Sequence, residues 1–143
     1  MSSISALDNT ERQALEDALD DEYKAHTTYD QVIHDLGPVR PFVNIVDAET
    51  RHVSALLSLF EKYGIAAPPN RWPGKVPRFS SVHEACAAAV QGEIENVALY
   101  DRVLKTTRRP DILSVYQALR SASLDRHLPA FQRCAQRSPA RGV

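Results

Sequence analysis

The sequence predicts an all-α protein, a four-helix bundle made of two antiparallel helix hairpins joined by a proline-rich crossover. Three observations carry this prediction. Apolar residues recur every three or four positions in four separate stretches, the spacing of a single helix face. Capping-box patterns open two of those stretches, at Thr10-Glu11-Arg12-Gln13 and Ser81-Val82-His83-Glu84. Proline and glycine mark the boundaries, and Pro68, Pro69, Pro73, Gly74 and Pro77 crowd the longest interval. The expected layout is a single domain over 1–143, with helices at about 10–36, 40–63, 81–107 and 111–135 and a crossover at 65–80.

The first helix follows the Thr10 capping box, with Leu15, Leu19, Glu22, His26, Tyr29 and Ile33 along one stripe, and Gly37-Pro38 ends it. Pro41 suits the first turn of the second helix, whose apolar residues Phe42, Ile45, Val46, Val53, Leu56, Leu57 and Phe60 lead to a stop at Gly64. The short connection between the two makes them an antiparallel hairpin. The proline-rich crossover cannot be helical, and Trp72 and Phe79 are expected to tack it onto the bundle. The third helix starts at the Ser81 box and aligns Cys86, Val90, Glu93, Val97, Tyr100 and Leu104. Pro110 and Asp111 turn the chain into the fourth, which carries Ile112, Tyr116, Leu119, Ser123, His127 and Phe131. Pro129 removes its own N–H and clashes with the carbonyl of Asp125, so a kink beside His127 is expected. The tail, 138–143, is expected to fray.

Within these stripes a few residues are out of place by hydrophobicity. A carboxylate on an inward helix face is costly unless it is paired or bound to a metal, and Glu22 and Glu93 each interrupt an apolar stripe. In the second helix, Asp47-Ala48-Glu49-Thr50-Arg51-His52 sets Glu49 and His52 three residues apart, so both can point at one spot. Glu-x-x-His facing a bundle core is the unit from which carboxylate-bridged dimetal sites are built. His127 on the fourth helix supplies a second imidazole. Glu95 falls about 200° from Glu93 at 100° per residue and belongs on the solvated side. A weak internal repeat links the first and third helices. Glu22 to Ile33 lies over Glu93 to Leu104 without a gap, with Glu, Tyr, Asp and Val coinciding, and in each copy a tyrosine follows the glutamate by seven residues.

Composition narrows the partners. With 43% hydrophobic and 24% charged residues, a net charge of −1 and no run of Lys or Arg, there is no electrostatic case for nucleic acid or anionic lipid. No stretch of 18 apolar residues occurs and the N-terminus lacks a signal-like pattern, so no membrane span and a cytoplasmic location are expected. Cys86 and Cys134 lack Cys-x-x-Cys spacing, which argues against zinc-ribbon, rubredoxin-like or dithiol motifs. Buried free thiols are preferred over a Cys86–Cys134 disulfide in a reducing compartment.

The set Glu22, Glu49, His52, Glu93 and His127 resembles the ligand order of the ferritin-like superfamily, including rubrerythrin-type proteins. Glu22-Tyr23-Lys24-Ala25-His26 with Tyr29, Val39-Arg40-Pro41-Phe42, Ala48-Glu49-Thr50-Arg51-His52, Phe60-Glu61-Lys62-Tyr63-Gly64, Glu93-Ile94-Glu95-Asn96 with Tyr100-Asp101, and His127-Leu128-Pro129-Ala130-Phe131 are similar to DUF2202, a bacterial and archaeal family of unknown function. The likeness covers about residues 10 to 135. It implies a ferritin-like bundle with a metal site. One position departs from the ferritin-like pattern: where the fourth helix would carry a glutamate three residues before His127, this chain has Leu124. Three carboxylates and two histidines remain, holding either two metals with one position open or one metal firmly. Asp125 or Ser123 could compensate only if the Pro129 kink turned them inward.

Carboxylates and imidazoles without thiolate suit iron, two ions per chain, with manganese or zinc as alternatives. The leading expectation is a di-iron protein with oxidase- or peroxidase-type redox chemistry, in which Glu49 and a partner carboxylate bridge, Glu22 and Glu93 are terminal or bridging, and His52 and His127 each cap one metal. Alternatives are metal binding or storage without turnover, and a metal-free bundle whose polar core fixes register, with Glu49 and His52 in a buried ion pair. Tyr29 and Tyr100 read either as core aromatics or as hydroxyl donors to the ligating carboxylates, open to oxidation themselves; His26 divides between the same supporting role and packing. A redox enzyme of this kind needs an outside electron donor, and a homodimer is compatible with every reading.

Overall fold

A computed structural model describes residues 5–137; the first four residues and the tail, 138–143, lie outside the described residues. The chain is all helical among those residues: α1 (Asn9–Leu36), α2 (Phe42–Lys62), α3 (Val82–Val103), α4 (Pro110–Ala122), a five-residue π-turn (Ser123–His127) and α5 (Leu128–Gln136).

Helix α1 begins earlier than the Thr10 pattern predicts. Asp8 is the N-cap, accepting from the Glu11 amide at 2.7 Å while the Glu11 carboxylate accepts from the Asp8 amide at 3.0 Å. The box is thus Asp8-x-x-Glu11, an equivalent chemistry two residues upstream. Gly37 ends the helix at φ +91°, where a side chain would be strained, and its amide reaches the Ile33 carbonyl. Gly64, at φ +66°, closes α2 in the same manner, with the Ile65 amide on the Phe60 carbonyl.

The crossover is strapped to α1. Arg71 grips Asp20 through two bonds at 2.8 and 2.9 Å and stacks on Trp72, whose indole N–H also reaches Asp20. Asn70 bonds Thr27, and Phe79 packs into the core. Ser81 caps α3 as expected, accepting from the Glu84 amide. Helix α3 stops at Val103, four residues short of the predicted 107. The reason is competition from hydroxyls: Thr106 bonds the Val103 carbonyl, and Thr107 turns to Glu11 and accepts from the Arg109 amide. Arg109 completes this knot by pairing with Glu11 at 2.9 Å.

The predicted fourth helix is two helices separated by the π-turn. There the Leu128 amide reaches back to the Ser123 carbonyl, an i→i−5 bond that fits one extra residue into the turn. Pro129, at the start of α5, has no N–H to offer the preceding turn, so the wider register meets no lost bond at that position.

Helix α1 packs on α2 and α3, α3 packs on α4 and α5, and α2 faces α4 along the loosest seam. Two apolar clusters fill the interior. Leu15, Leu19, Leu56, Phe60, Tyr100, Ile112 and Tyr116 occupy one end. Tyr29, Val32, Phe42, Ile45, Cys86, Phe131 and Cys134 occupy the other. On every helix the polar residues singled out above fall between these two sets, so the clusters seal a polar layer from both ends.

The expectation of free thiols is corrected. Cys86 on α3 and Cys134 on α5 form a disulfide with Cα atoms 5.9 Å apart, and neither is free. Packing α3 against α5 brings the two within bridging reach, and burial shields the sulfurs. Among the described residues no helix is long and apolar enough to cross a membrane.

Candidate metal centre

All five predicted residues converge. Glu22, Glu49 and Glu93 are at most 1% exposed, and His52 and His127 at most 7%. They form two groups that share Glu49: Glu22, Glu49 and His52, and Glu49, Glu93 and His127, with the donor atoms in each lying within 4.8 Å of one another. Nδ1 of His52 lies 3.3 Å from Glu22 Oε1 and 3.6 Å from Glu49 Oε2. Nδ1 of His127 lies 3.3 Å from Glu49 Oε1 and 3.4 Å from Glu93 Oε1. The two imidazoles stack with centroids 5.3 Å apart and planes 16° from parallel. Glu49 is thus the centre of a near-symmetric cluster, with one carboxylate and one imidazole on each side.

The outer oxygens are held by tyrosines in a crossed arrangement. Tyr29, on α1, donates to Glu93 on α3, and Tyr100, on α3, donates to Glu22 on α1. Helices α1 and α3 run antiparallel, so the seven-residue Glu-to-Tyr spacing of each places its tyrosine against the other's glutamate. The weak repeat in the sequence is therefore a local two-fold relation in space. His26, by contrast, is only half-buried and has no side-chain hydrogen bond to the five residues. Glu95 is exposed, as expected.

The position opposite Glu93 and His127 is not held by Leu124. Leu124 is 37% exposed, and Ser123 is fully buried in its place. In an ordinary helix the residues three and four before His127 both lie near its face; the wider π-turn rotates Leu124 outward and keeps Ser123, already on the predicted stripe, inward. Asp125 stays exposed. Ser123 donates to Asn96 Oδ1 at 2.7 Å, and Asn96 donates to Asp21 at 2.7 Å and to Glu22 Oε2 at 3.2 Å. Sequence reasoning passed over Asn96 and Asp21. Asn96 had a legible signal, since it follows Glu93 by three residues, as His52 follows Glu49. Asp21 had none, because it sits 100° round α1 from Glu22.

Burial and mutual proximity shape the charges. Burial and the facing Glu49 raise the Glu22 carboxyl to about 7. Glu49 is itself pushed up by burial, yet the proximity of Glu22, His127 and His52 brings it below the usual carboxylate value. Burial lowers both imidazoles, but the carboxylates outweigh it, leaving His52 at about 10 and His127 at about 9. Burial raises Asp21 to about 6. The hydroxyls of Tyr29 and Tyr100 lie well above the ordinary tyrosine value, through burial and the neighbouring carboxylates.

Even so, the cluster does not satisfy itself. Glu49 Oε2, Glu93 Oε1 and His127 Nδ1 are buried without a hydrogen-bond partner. Such atoms cost about 1–3 kcal/mol each, and more when charged. All three face the shared centre, and they are the hard oxygen and imidazole donors that divalent cations take. These residues could hold metal ions.

Two clefts approach the layer from opposite faces. One, of about 590 Å³ along the α2–α4 seam, has His52 and His127 in its lining, with Ala48, Ala122, Arg51 and Arg126. The other, of about 390 Å³ between α1, α3 and the crossover, is lined by Tyr29, Ala25, Ala89, Gly92, Phe79 and Asp21 among others.

The fold and this cluster define a helical bundle with a buried Glu/His core. The chain belongs to the family described as "Uncharacterized protein domain (DUF2202)", which matches residues 18–141. Among solved structures it is similar to hypothetical protein MJ0754 from Methanococcus jannaschii DSM 2661, with 22% identity, a TM-score of 0.82, and coverage of 94% of this chain and 85% of that one. It is likewise similar to the conserved hypothetical protein Rv2844 from Mycobacterium tuberculosis, with 18% identity, a TM-score of 0.80, and coverage of 94% and 96%. These likenesses establish the helical fold. No curated protein sequence matches the chain.

Proposed function

We propose that the chain is a dimetal protein, holding two iron ions in its Glu/His layer and using them in oxidase- or peroxidase-type redox chemistry. The observation that carries this reading is the pair of donor groups sharing Glu49, with three buried polar atoms left unpartnered at their meeting point. Glu22 and His52 would hold one ion, Glu93 and His127 the other, and Glu49 would serve both. The ferritin-like resemblance supports the same assignment. Iron, when bound, supplies electron exchange with dioxygen or peroxide.

The chain's own residues have definable tasks in this reading. Tyr29 and Tyr100 fix the outer oxygens of Glu93 and Glu22, which leaves the inner oxygens aimed at the centre. The two apolar clusters exclude water from both ends of the layer. Asn96 donates from its amide nitrogen to both Asp21 and Glu22 Oε2 while its oxygen accepts from Ser123, so it fixes the outer oxygen of Glu22 and ties it to Asp21 in the lining of the cleft. Ser123 stands where a fourth carboxylate would, and being neutral it lowers the negative charge the two ions would otherwise meet.

Elemental analysis of protein produced with iron available tests the reading. Near two irons per chain is expected, and Glu49→Ala, which removes the shared carboxylate, should abolish both. His127→Ala should lose at least one. Metal at trace level in the unaltered protein would sink the proposal. Peroxide or dioxygen consumption by the ferrous protein then separates turnover from storage.

A further inference from the structure

The disulfide has a placement that a simple staple does not require. Cys86 precedes Glu93 by seven residues on α3, and Cys134 follows His127 by seven. Seven residues is two turns, so each cysteine shares a helix face with one residue of the Glu/His cluster, about 10 Å along the axis. The space between is filled by one contiguous buried cluster that contains both cysteines, Tyr29, Phe42 and Phe131. Ring centroids of Tyr29 and Phe131 are 5.1 Å apart, as are those of Phe42 and Phe131. At the far side of this aromatic group the Tyr29 hydroxyl bonds Glu93. The bridge therefore connects to the polar layer through packed aromatic rings. It is also closed to solvent, with Cys86 fully buried and Cys134 5% exposed. Exchange with a dissolved thiol needs direct approach to a sulfur, which this burial denies.

We propose that Cys86 and Cys134 are the internal two-electron partner of the metal centre: as thiols they are oxidised to the disulfide by peroxide acting at that centre. This rests on the reading of the Glu/His layer as a redox-active metal site. In the reaction the O–O bond of one peroxide breaks and one S–S bond forms. The two thiols are oxidised and the peroxide is reduced. Both thiol hydrogens end on the peroxide oxygens, giving two waters for each disulfide.

The test uses the full chain, reduced in denaturant, refolded, and loaded without oxygen with ferrous iron or, in parallel, with redox-inert zinc. One equivalent of hydrogen peroxide is added, and remaining thiols are counted by alkylation and intact mass. The expected result is one disulfide per peroxide, formed at least about 100-fold faster with iron than with zinc or no metal, since uncatalysed attack on buried sulfur is slow. Phe131→Leu, which opens the aromatic contact, should slow the bridge while leaving iron content unchanged. Full iron loading with thiol loss no faster than in the zinc form overturns the inference and leaves the metal reading standing. Failure to bind iron overturns both. Should the reduced chain not refold, the native bridged protein serves in the reverse direction. Dithionite should then release thiols faster from the ferrous form than from the zinc form, and equal rates overturn the inference.

Discussion

The Tyr100 hydroxyl, on α3, donates to Oε2 of Glu22, on α1, and thereby ties the two helices together inside the core. Because Tyr29 makes the reciprocal bond to Glu93, each carboxylate is oriented by the helix that carries the other. Removing either hydroxyl should leave the fold intact but free a carboxylate to rotate. Tyr100→Phe and Tyr29→Phe are each expected to weaken metal binding about 10-fold, the usual loss when a partner of a ligating group is deleted. Calorimetric titration of the metal-free protein with ferrous iron measures this. Unchanged affinity in both variants would show that the tyrosines only pack.

The π-turn makes a sharp distinction between neighbours. Leu124 is exposed while Ser123 is buried and bonded to Asn96. Leu124→Glu should change neither metal content nor stability beyond about 0.5 kcal/mol, as for ordinary surface substitutions. Ser123→Ala should cost about 1 kcal/mol, by stripping a partner from buried Asn96. Urea denaturation of the two variants, with metal content measured alongside, checks both. A glutamate at 124 that added metal capacity would contradict the rotated register.

The knot at the end of the bundle predicts a pH dependence. Glu11 is drawn down from its ordinary value of 4.5 to about 2, chiefly by its bonds with Arg109 and against the opposing pull of burial. Since the folded value lies below the unfolded one, the pair's stabilisation is fully present above pH 4.5 and is lost as pH falls through about 2. Glu11→Gln should cost about 1–3 kcal/mol at pH 7, with the gap to the unaltered protein narrowing below pH 4.5. Thermal unfolding at pH 7 and pH 3 reads the difference.

Metal uptake should release protons. In the metal-free chain His52 and His127 stand at about 10 and about 9, so both are protonated at pH 7, and a protonated imidazole cannot bind a metal. Affinity is therefore expected to rise with pH up to about 10, where the second imidazole loses its proton. Between about two and three protons should appear per chain when the site fills near neutrality, two from the imidazoles and a fraction from Glu22 at about 7. Dye-monitored titration in weak buffer counts them, and no proton release would argue that the imidazoles stay out of the coordination.

Much of this architecture is a local property of the sequence. Apolar stripes, glycine stops at Gly37 and Gly64 and the proline-rich crossover each depend on residues within a turn or two, so the helices were readable without a partner. Glu22, Glu49, His52, Glu93 and His127 were legible for the same reason, as polar residues on faces that otherwise had to be buried. The rest depends on which faces meet. The predicted second hairpin sets Cys86 and Cys134 at the same end of adjacent helices, but whether their sulfurs meet depends on how α3 packs against α5, so the disulfide came only with packing. The crossed Tyr–Glu bonds need the antiparallel alignment of α1 with α3, although the repeated seven-residue spacing hinted at them. Periodicity already set Ser123 on the inward stripe, whereas the ferritin-like pattern looked for a ligand at Leu124; the π-turn, one residue wider, decided between them by burying Ser123 and exposing Leu124, because hydrogen-bond register is chosen by the whole helix and its neighbours.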